Sequence, residues 1–457
     1  MPDTGDTAWM LASSALVLLM TPGLAFFYGG MVRSKSVLNM IMMSMSAMGV
    51  VGVLWVLYGY SMAFGNDVGY GLLGNPGDHA GLKGLFGGTY VASGSSKVAI
   101  PLVGTIPATV FVAFQAMFAI ITVALVSGAV ADRLRFGPWL AFAAIWVTVV
   151  YFPVAHWVFS FDGVSAPFGG WIANRLKAID FAGGTAVHIN AGAAGLALCL
   201  VLGKRRGWPR EAMRPHNLPL VMLGAGLLWF GWFGFNAGSA VASNGVAGLA
   251  FINTTVATCA AMLAWLLIER IRDGRPTSLG AASGVVAGLV AITPSCSSVS
   301  PVGAIVVGAI AGALCALAVS IKFRLGFDDS LDVVGVHLVG GLAGTLSVGF
   351  LATAAAPAGI NGLFYGGGLG QLERQAVAAF AVLIFSFVVS LIIALVLKYT
   401  IGLRVDGDAE RTGVDETEHA EAGYELSSIF TGSGSPNSRP AQAIPTGKVP
   451  ASAGQEG

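Results

Sequence analysis

Two stretches decide the fold: residues 180–195, DFAGGTAVHINAGAAG, and residues 329–344, DSLDVVGVHLVGGLAG. Aligned without gaps they agree at six of sixteen positions, including an aspartate at the start and a histidine eight residues later. Each sits in an apolar run, and runs of about 18 or more apolar residues mark membrane helices. Eleven such runs lie near 8–30, 39–64, 105–131, 138–158, 180–203, 217–240, 247–269, 279–295, 301–322, 333–354 and 376–400. The two stretches open the fifth and the tenth. Five spans separate them, an odd number, so they cross the bilayer in opposite directions. That is the pattern of an inverted repeat, spans 1–5 against 6–10, with a site expected near the midplane. The eleventh span stands outside the repeat.

Composition agrees with an all-α integral membrane protein. Only 10% of the 457 residues are charged, against about 25% in soluble domains. The last 57 residues hold 13 of the 47 charged side chains, so the body is poorer still. The 64 glycines are about twice average usage and read as close helix–helix approach in lipid. A net charge of +1 offers no footprint for nucleic acid. The four cysteines lie in apolar runs without a CxxC pair and read as small core residues. The first run resembles a secretory signal in length only. Its start is acidic (Asp3, Asp6), and Thr21-Pro22 lies inside a longer apolar run, so it is taken as a helix of the mature chain.

Basic residues set the orientation. Nineteen lie in the loops after odd-numbered spans and in the tail, and five lie on the other side. The positive-inside rule then puts the N-terminus outside and the tail in the cytoplasm. The Gly/Ser/Asn-rich loop 65–104 falls outside. Residues 1–403 form the eleven-helix domain. Residues 404–457 form a cytoplasmic tail whose distal Ser/Pro/Gly/Ala-rich part is expected to be disordered.

His188 and His337 hold equivalent places in the repeat. Eight residues of helix span about 12 Å. Entering from opposite faces of a core about 30 Å thick, the two imidazoles end roughly 6 Å apart along the normal. The bland alternative is a carbonyl partner between helices for each, but ionisable groups inside membranes are generally functional. An imidazole donates at one nitrogen and accepts at the other, so a pair can pass a proton or relay a hydrogen bond. Asp180, about 12 Å from His188 along the axis, reads as a helix cap, with attraction of a cation to an outer vestibule as the sharper alternative. Asp328, Asp329 and Asp332 read as the cytoplasmic counterpart. The aromatics of FQAMF (114–118) and WFGWFGFNAGS (229–239) can bind a small cation on their faces or close a narrow pore, though packing is the commoner role.

Taken together, TPGLAFFYGG (21–30), FQAMFAIITVALVSGAVADR (114–133), DFAGGTAVHINAGAAGL (180–196), WFGWFGFNAGSA (229–240), AITPSC (291–296) and DDSLDVVGVHLVGGLAGT (328–345) resemble the ammonium transporter family (Amt/Mep/Rh), in its Amt branch. The likeness covers about residues 8–425. It implies a homotrimer of eleven-helix subunits in the cell membrane, N-out and C-in, with one pore per subunit. By the same resemblance, His188 and His337 are similar to the twin pore histidines, and Phe118 and Phe235 to the stacked phenylalanine gate with Phe114 beside it. Trp232 lines the lower pore edge. Ser239 resembles the serine of the external ammonium site, and Asp180 the essential aspartate near it. That site commonly includes a tryptophan where this chain, in PVAHWVFSFDG, has Phe159, which offers a weaker cation–π face. Trp157, two residues away, points elsewhere on the helix. GLRVDGDAERTGVDETEHAEAGY (402–424) is similar to a regulatory segment at which a PII-type signalling protein docks in bacterial members and a threonine matching Thr417 is phosphorylated in plant ones.

The expected activity is ammonium transport: recruitment by Phe114, Phe159 and Ser239 with field from Asp180, deprotonation at the gate, and passage of ammonia along the histidines. No cofactor, metal or covalent chemistry is implied, so an enzyme is not expected. The alternatives are an ammonium sensor on the same fold, for which the 57 residues after the last span are few, and a proton-coupled carrier, for which the spans carry few charges.

Overall fold

The computed structural model describes residues 1–87, 100–211 and 213–424. The distal tail expected to be disordered, and the middle of loop 65–104, lie outside the described residues. Among the described residues ten helices are long and apolar enough to cross a membrane: α1 (Thr4–Met31), α2 (Ser34–Phe64), α3 (Ala108–Val130), α4 (Phe136–Phe159), α5 (Gly184–Leu202), α6 (Leu218–Gly238), α7 (Gly245–Arg272), α9 (Pro301–Leu325), α10 (Val334–Leu351) and α11 (Gly370–Thr400). A shorter apolar helix, α8 (Ser278–Ile292), takes the remaining place. The chain is a multi-pass membrane protein.

Short polar residues start these helices where the sequence supplies them. Asp3, Asn217, Asn244, Thr277 and Ser300 each accept a hydrogen bond from an amide of the first turn of α1, α6, α7, α8 and α9. Each satisfies a donor that the helix itself leaves orphaned. Pro219 is the second residue of α6 and Pro301 the first of α9, both within the first turn, where a missing N–H costs nothing.

Fifteen residues make α8 about 22 Å long, short of a full crossing. Its continuation, residues 293–298, is non-helical and buried. Irregular backbone at that depth needs partners inside the protein. Asn253 of α7 supplies them, donating from Nδ2 to the carbonyls of Cys296 (2.8 Å) and Val299 (2.9 Å).

The glycine excess shows at the seam between α1 and α6, the first helix of each half of the repeat. A Cβ on Gly224 would stand 2.3 Å from the Phe27 amide nitrogen, and one on Gly231 would stand 2.6 Å from the Leu16 carbonyl oxygen. α9 meets α7 in the same way, with Gly308 and Gly312 against the backbone at Ala257 and Ala261. Backbone-to-backbone packing of this kind is how helices associate where lipid removes the hydrophobic drive.

Two faces follow from the polar contacts. At the N-terminal face Asp6 accepts from the Ser243 amide (2.8 Å) and the Thr105 hydroxyl (2.6 Å), gathering α1, the α6–α7 turn and the end of the α2–α3 loop. At the opposite, tail face the buried Arg205 grips Asp328 through Nε (2.9 Å) and Nη2 (2.8 Å) and reaches Asp132 through Nη1 (3.1 Å), where Arg33 also pairs at 3.3 Å. Burial opposes the charge on Asp328, but the Arg205 guanidinium outweighs it and holds the carboxyl below its usual range.

The described part of the tail is docked on this face. It forms α12 (Gly407–Thr412) and α13 (Val414–His419). Glu410 accepts from the Arg206 amide (2.6 Å) and pairs with Arg404 (2.7 Å). Asp415 accepts from the amides of Leu38 (3.0 Å) and Asn39 (2.7 Å), which open the α-helical part of α2.

Candidate functional site

Each histidine sits where its helix begins. α5 opens with a π-helical turn, Gly184–Ile189, that carries His188, and α10 opens with another, Val334–Leu338, that carries His337. Such turns concentrate at functional sites. Both are anchored by the aspartate eight residues earlier. Asp180 accepts from the amides of Gly183 (2.9 Å), Gly184 (2.5 Å), Thr185 (2.8 Å) and Ala186 (3.1 Å), and from the Thr185 hydroxyl. Asp329 accepts from the amides of Val333 (3.1 Å) and Val334 (2.7 Å). Burial pushes the Asp329 carboxyl up to about 6 against the pull of Lys322. The capping expected of both aspartates is what their contacts show.

α5 begins beside the N-terminal face and α10 beside the tail face, so the histidines converge from opposite sides. They meet in contact: Nδ1 to Nδ1 is 3.3 Å, with ring centroids 5.4 Å apart and planes 24° from parallel. A hydrogen bond between two neutral rings through these atoms requires one Nδ1–H and one Nδ1 lone pair. The outward nitrogens then differ, one ring offering an acceptor and the other a donor. His188 Nε2 has no partner among the described residues.

Above the histidines lie the two phenylalanines expected as a gate. Phe118 of α3 and Phe235 of α6 stack at 4.2 Å with planes 24° apart. Phe235 lies 6.1 Å from the His188 ring, and Trp232 lies nearly parallel to that ring at 5.4 Å. Trp232 is fixed by a hydrogen bond from Nε1 to Thr293 Oγ1 (2.9 Å). That contact brings the buried stretch after α8 against the Trp232 ring.

A cavity of about 300 Å³ opens above the stacked rings, at the N-terminal face, lined by Phe111, Gln115, Phe118, Phe159, Phe181 and Ser239 among others. Phe159 meets Phe118 edge-on at 6.2 Å. Ser239 Oγ donates to the Phe235 carbonyl (2.7 Å), which leaves its lone pairs free to accept. Phe114 is not in the cavity wall. It is fully buried beside Phe118 at 4.9 Å, turned toward the close approach of Gly238. The reason is its angular place at the edge of the stripe that Phe111, Gln115 and Phe118 share. Asp180 is not in the wall either, since all five of its donors lie on its own helix start. Trp157 points away as expected, donating to the Leu72 carbonyl (2.8 Å).

Phe111, Gln115, Phe181 and Thr293 were given no role from sequence. The signal for Phe111 and Gln115 was their spacing of seven and three residues before Phe118 on one helix face. For Thr293 the signal is its place in AITPSC (291–296), although the break after α8 does not show in an apolar run.

The sequence profile of the Ammonium Transporter Family matches residues 8–424. An ammonium transporter of Mycobacterium tuberculosis is 72% identical over 435 residues, covering 93% of this chain and 91% of that one. The crystal structure of Saccharomyces cerevisiae Mep2 is similar with a TM-score of 0.78 and 33% identity, covering 89% of this chain and 88% of that one. A protein described as a sensor Amt protein is similar with a TM-score of 0.81 and 29% identity, covering 91% and 98%.

Proposed function

The chain belongs to the ammonium transporter family, and from that premise we propose how its residues move ammonium. The cation settles in the cavity at the N-terminal face, against the faces of Phe118 and Phe159 and the hydroxyl oxygen of Ser239. Phe114 backs the Phe118 ring, and Asp180 holds the start of α5 so that His188 meets the pathway. Below, the stacked Phe118 and Phe235 rings exclude water, and burying a bare cation there is costly. Ammonium therefore gives up its proton at the gate and crosses as ammonia. Trp232 forms one wall, and His188 and His337 accept and donate hydrogen bonds to the passing molecule or carry the proton. The carrying observation is the unbroken row from cavity to stacked rings to the bonded histidine pair.

The basic loops support an N-out, C-in orientation, which makes the cavity external and the tail face cytoplasmic. On this reading residues 1–403 transport and 404–457 regulate, with three copies assembling as one pore each. The docked segment around Glu410 and Asp415 is the surface a PII-type signalling protein would meet. Thr417, exposed on α13 with its hydroxyl on the Gly413 carbonyl (2.9 Å), is accessible to a kinase.

The test is ammonium-evoked current from proteoliposomes on a solid-supported membrane. Replacing both His188 and His337 with alanine is expected to remove the current while the protein still assembles. Full, selective current in that variant would defeat the relay. Tight ammonium binding by the unsubstituted protein without any flux would favour a sensor instead.

A further inference from the structure

Gln115 is a polar side chain of the cavity wall with no assigned task. Gln115 is 8% exposed, and its Oε1 is buried without a donor among the described residues. It lines the cavity between Phe111 and Phe118, directly above the stacked rings. A buried acceptor left unbonded opposes folding, and such atoms are rare without a reason. That oxygen is turned away from open space, and a half turn of the terminal torsion, which is broad and two-fold, exchanges it with the amide nitrogen and brings it to the cavity.

We propose that Gln115 is a direct ligand for the ammonium cation, its amide oxygen accepting an N–H bond that the aromatic faces cannot accept as strongly. The inference rests on the cavity being the recruitment site. Aromatic faces attract any small cation by its charge, potassium included. Two oxygens, Gln115 Oε1 and Ser239 Oγ, add something different. They satisfy two N–H bonds of a tetrahedral donor but replace only a small part of a metal cation's hydration shell. Gln115 thus serves recognition of ammonium as a hydrogen-bond donor and favours it over potassium at the mouth of the pore.

The concentration dependence of ammonium-evoked current, with and without potassium, tests this in proteoliposomes. Gln115→Leu keeps the volume and removes the acceptor, while Gln115→Glu keeps an acceptor and adds charge. Losing one hydrogen bond to a cation corresponds to a rise of about tenfold or more in half-saturation. That rise is expected for Gln115→Leu, with maximal current largely kept and potassium inhibiting at lower ratios. Gln115→Glu is expected to lower half-saturation, and it decides alone if the leucine variant fails to insert; an unchanged or higher value overturns the proposal. An unchanged half-saturation in Gln115→Leu also overturns it, provided Ser239→Ala and Phe159→Ala each raise theirs. If none of these variants changes half-saturation, the recruitment reading itself fails.

Discussion

Replacing Asp180 with asparagine separates two roles that sequence could not. Its Oδ1 takes the amides of Gly183 and Gly184, and its Oδ2 takes those of Thr185 and Ala186 together with the Thr185 hydroxyl. Asparagine has one oxygen. Whichever way it turns, two buried amides face its NH2 group, donor against donor. At about 1–3 kcal/mol for each stranded donor, the start of α5 loses about 2–6 kcal/mol. That is enough to loosen the π-helical turn that aims His188, so unfolding temperature and maximal current fall together. Thermal unfolding followed by tryptophan fluorescence in detergent measures the first, and proteoliposome currents the second. The reasoning is refuted if Asp180→Asn unfolds at the unsubstituted temperature while only its ammonium half-saturation rises. The carboxylate would then act by attracting the cation, not by holding the helix.

Further expectations concern the tail face. Asp415→Ala strands the amides of Leu38 and Asn39, and a loss of about 2 kcal/mol shifts tail docking roughly thirtyfold toward release. Hydrogen–deuterium exchange over residues 404–424 reads this as lost protection. Arg205→Met leaves Asp328 and Asp132 buried beside each other with less positive charge, which costs about 3–5 kcal/mol of stability by chemical or thermal unfolding. Because Asp328 titrates below its unfolded value, the stability it contributes is complete above about pH 4 and is lost as pH falls through its lower, folded value. A stability profile of the unsubstituted protein flat down to pH 3 would contradict that coupling.

The span pattern, the repeat and the histidine pair were legible because each rests on periodic or duplicated residues. The Asp180 and Asp329 caps were legible for the same reason, an aspartate preceding each repeated helix. Contact between the imidazoles was only half visible. Helix rise puts them roughly 6 Å apart along the axis, which permits contact, but the ring orientations that place Nδ1 3.3 Å from Nδ1, and the π-helical turns that carry the rings, are announced by no propensity. Residues 111–118 show a different limit. Phe111, Phe114, Gln115 and Phe118 all fall within one broad stripe of α3, and only the neighbouring α6 decides that Phe114 packs while Gln115 faces the cavity. The acidic run 406–421 reads from composition as solvated. What it does depends on which loop amides lie within reach, and those come from α2 and the α5–α6 loop, far away in the chain.

The contact of α1 with α6 has a mechanical consequence. Transporters that work by alternating access rock one half of an inverted repeat against the other, and rocking needs a surface on which side chains can slide. Here the leading helices of the two halves meet with Gly224 against the Phe27 backbone and Gly231 against the Leu16 carbonyl and the Met20 side chain, closer than a Cβ would allow. Contact that close opposes sliding of one half over the other. On the proposed pathway the barrier is then a fixed constriction, and control over the flux is expected at the mouths of the pore.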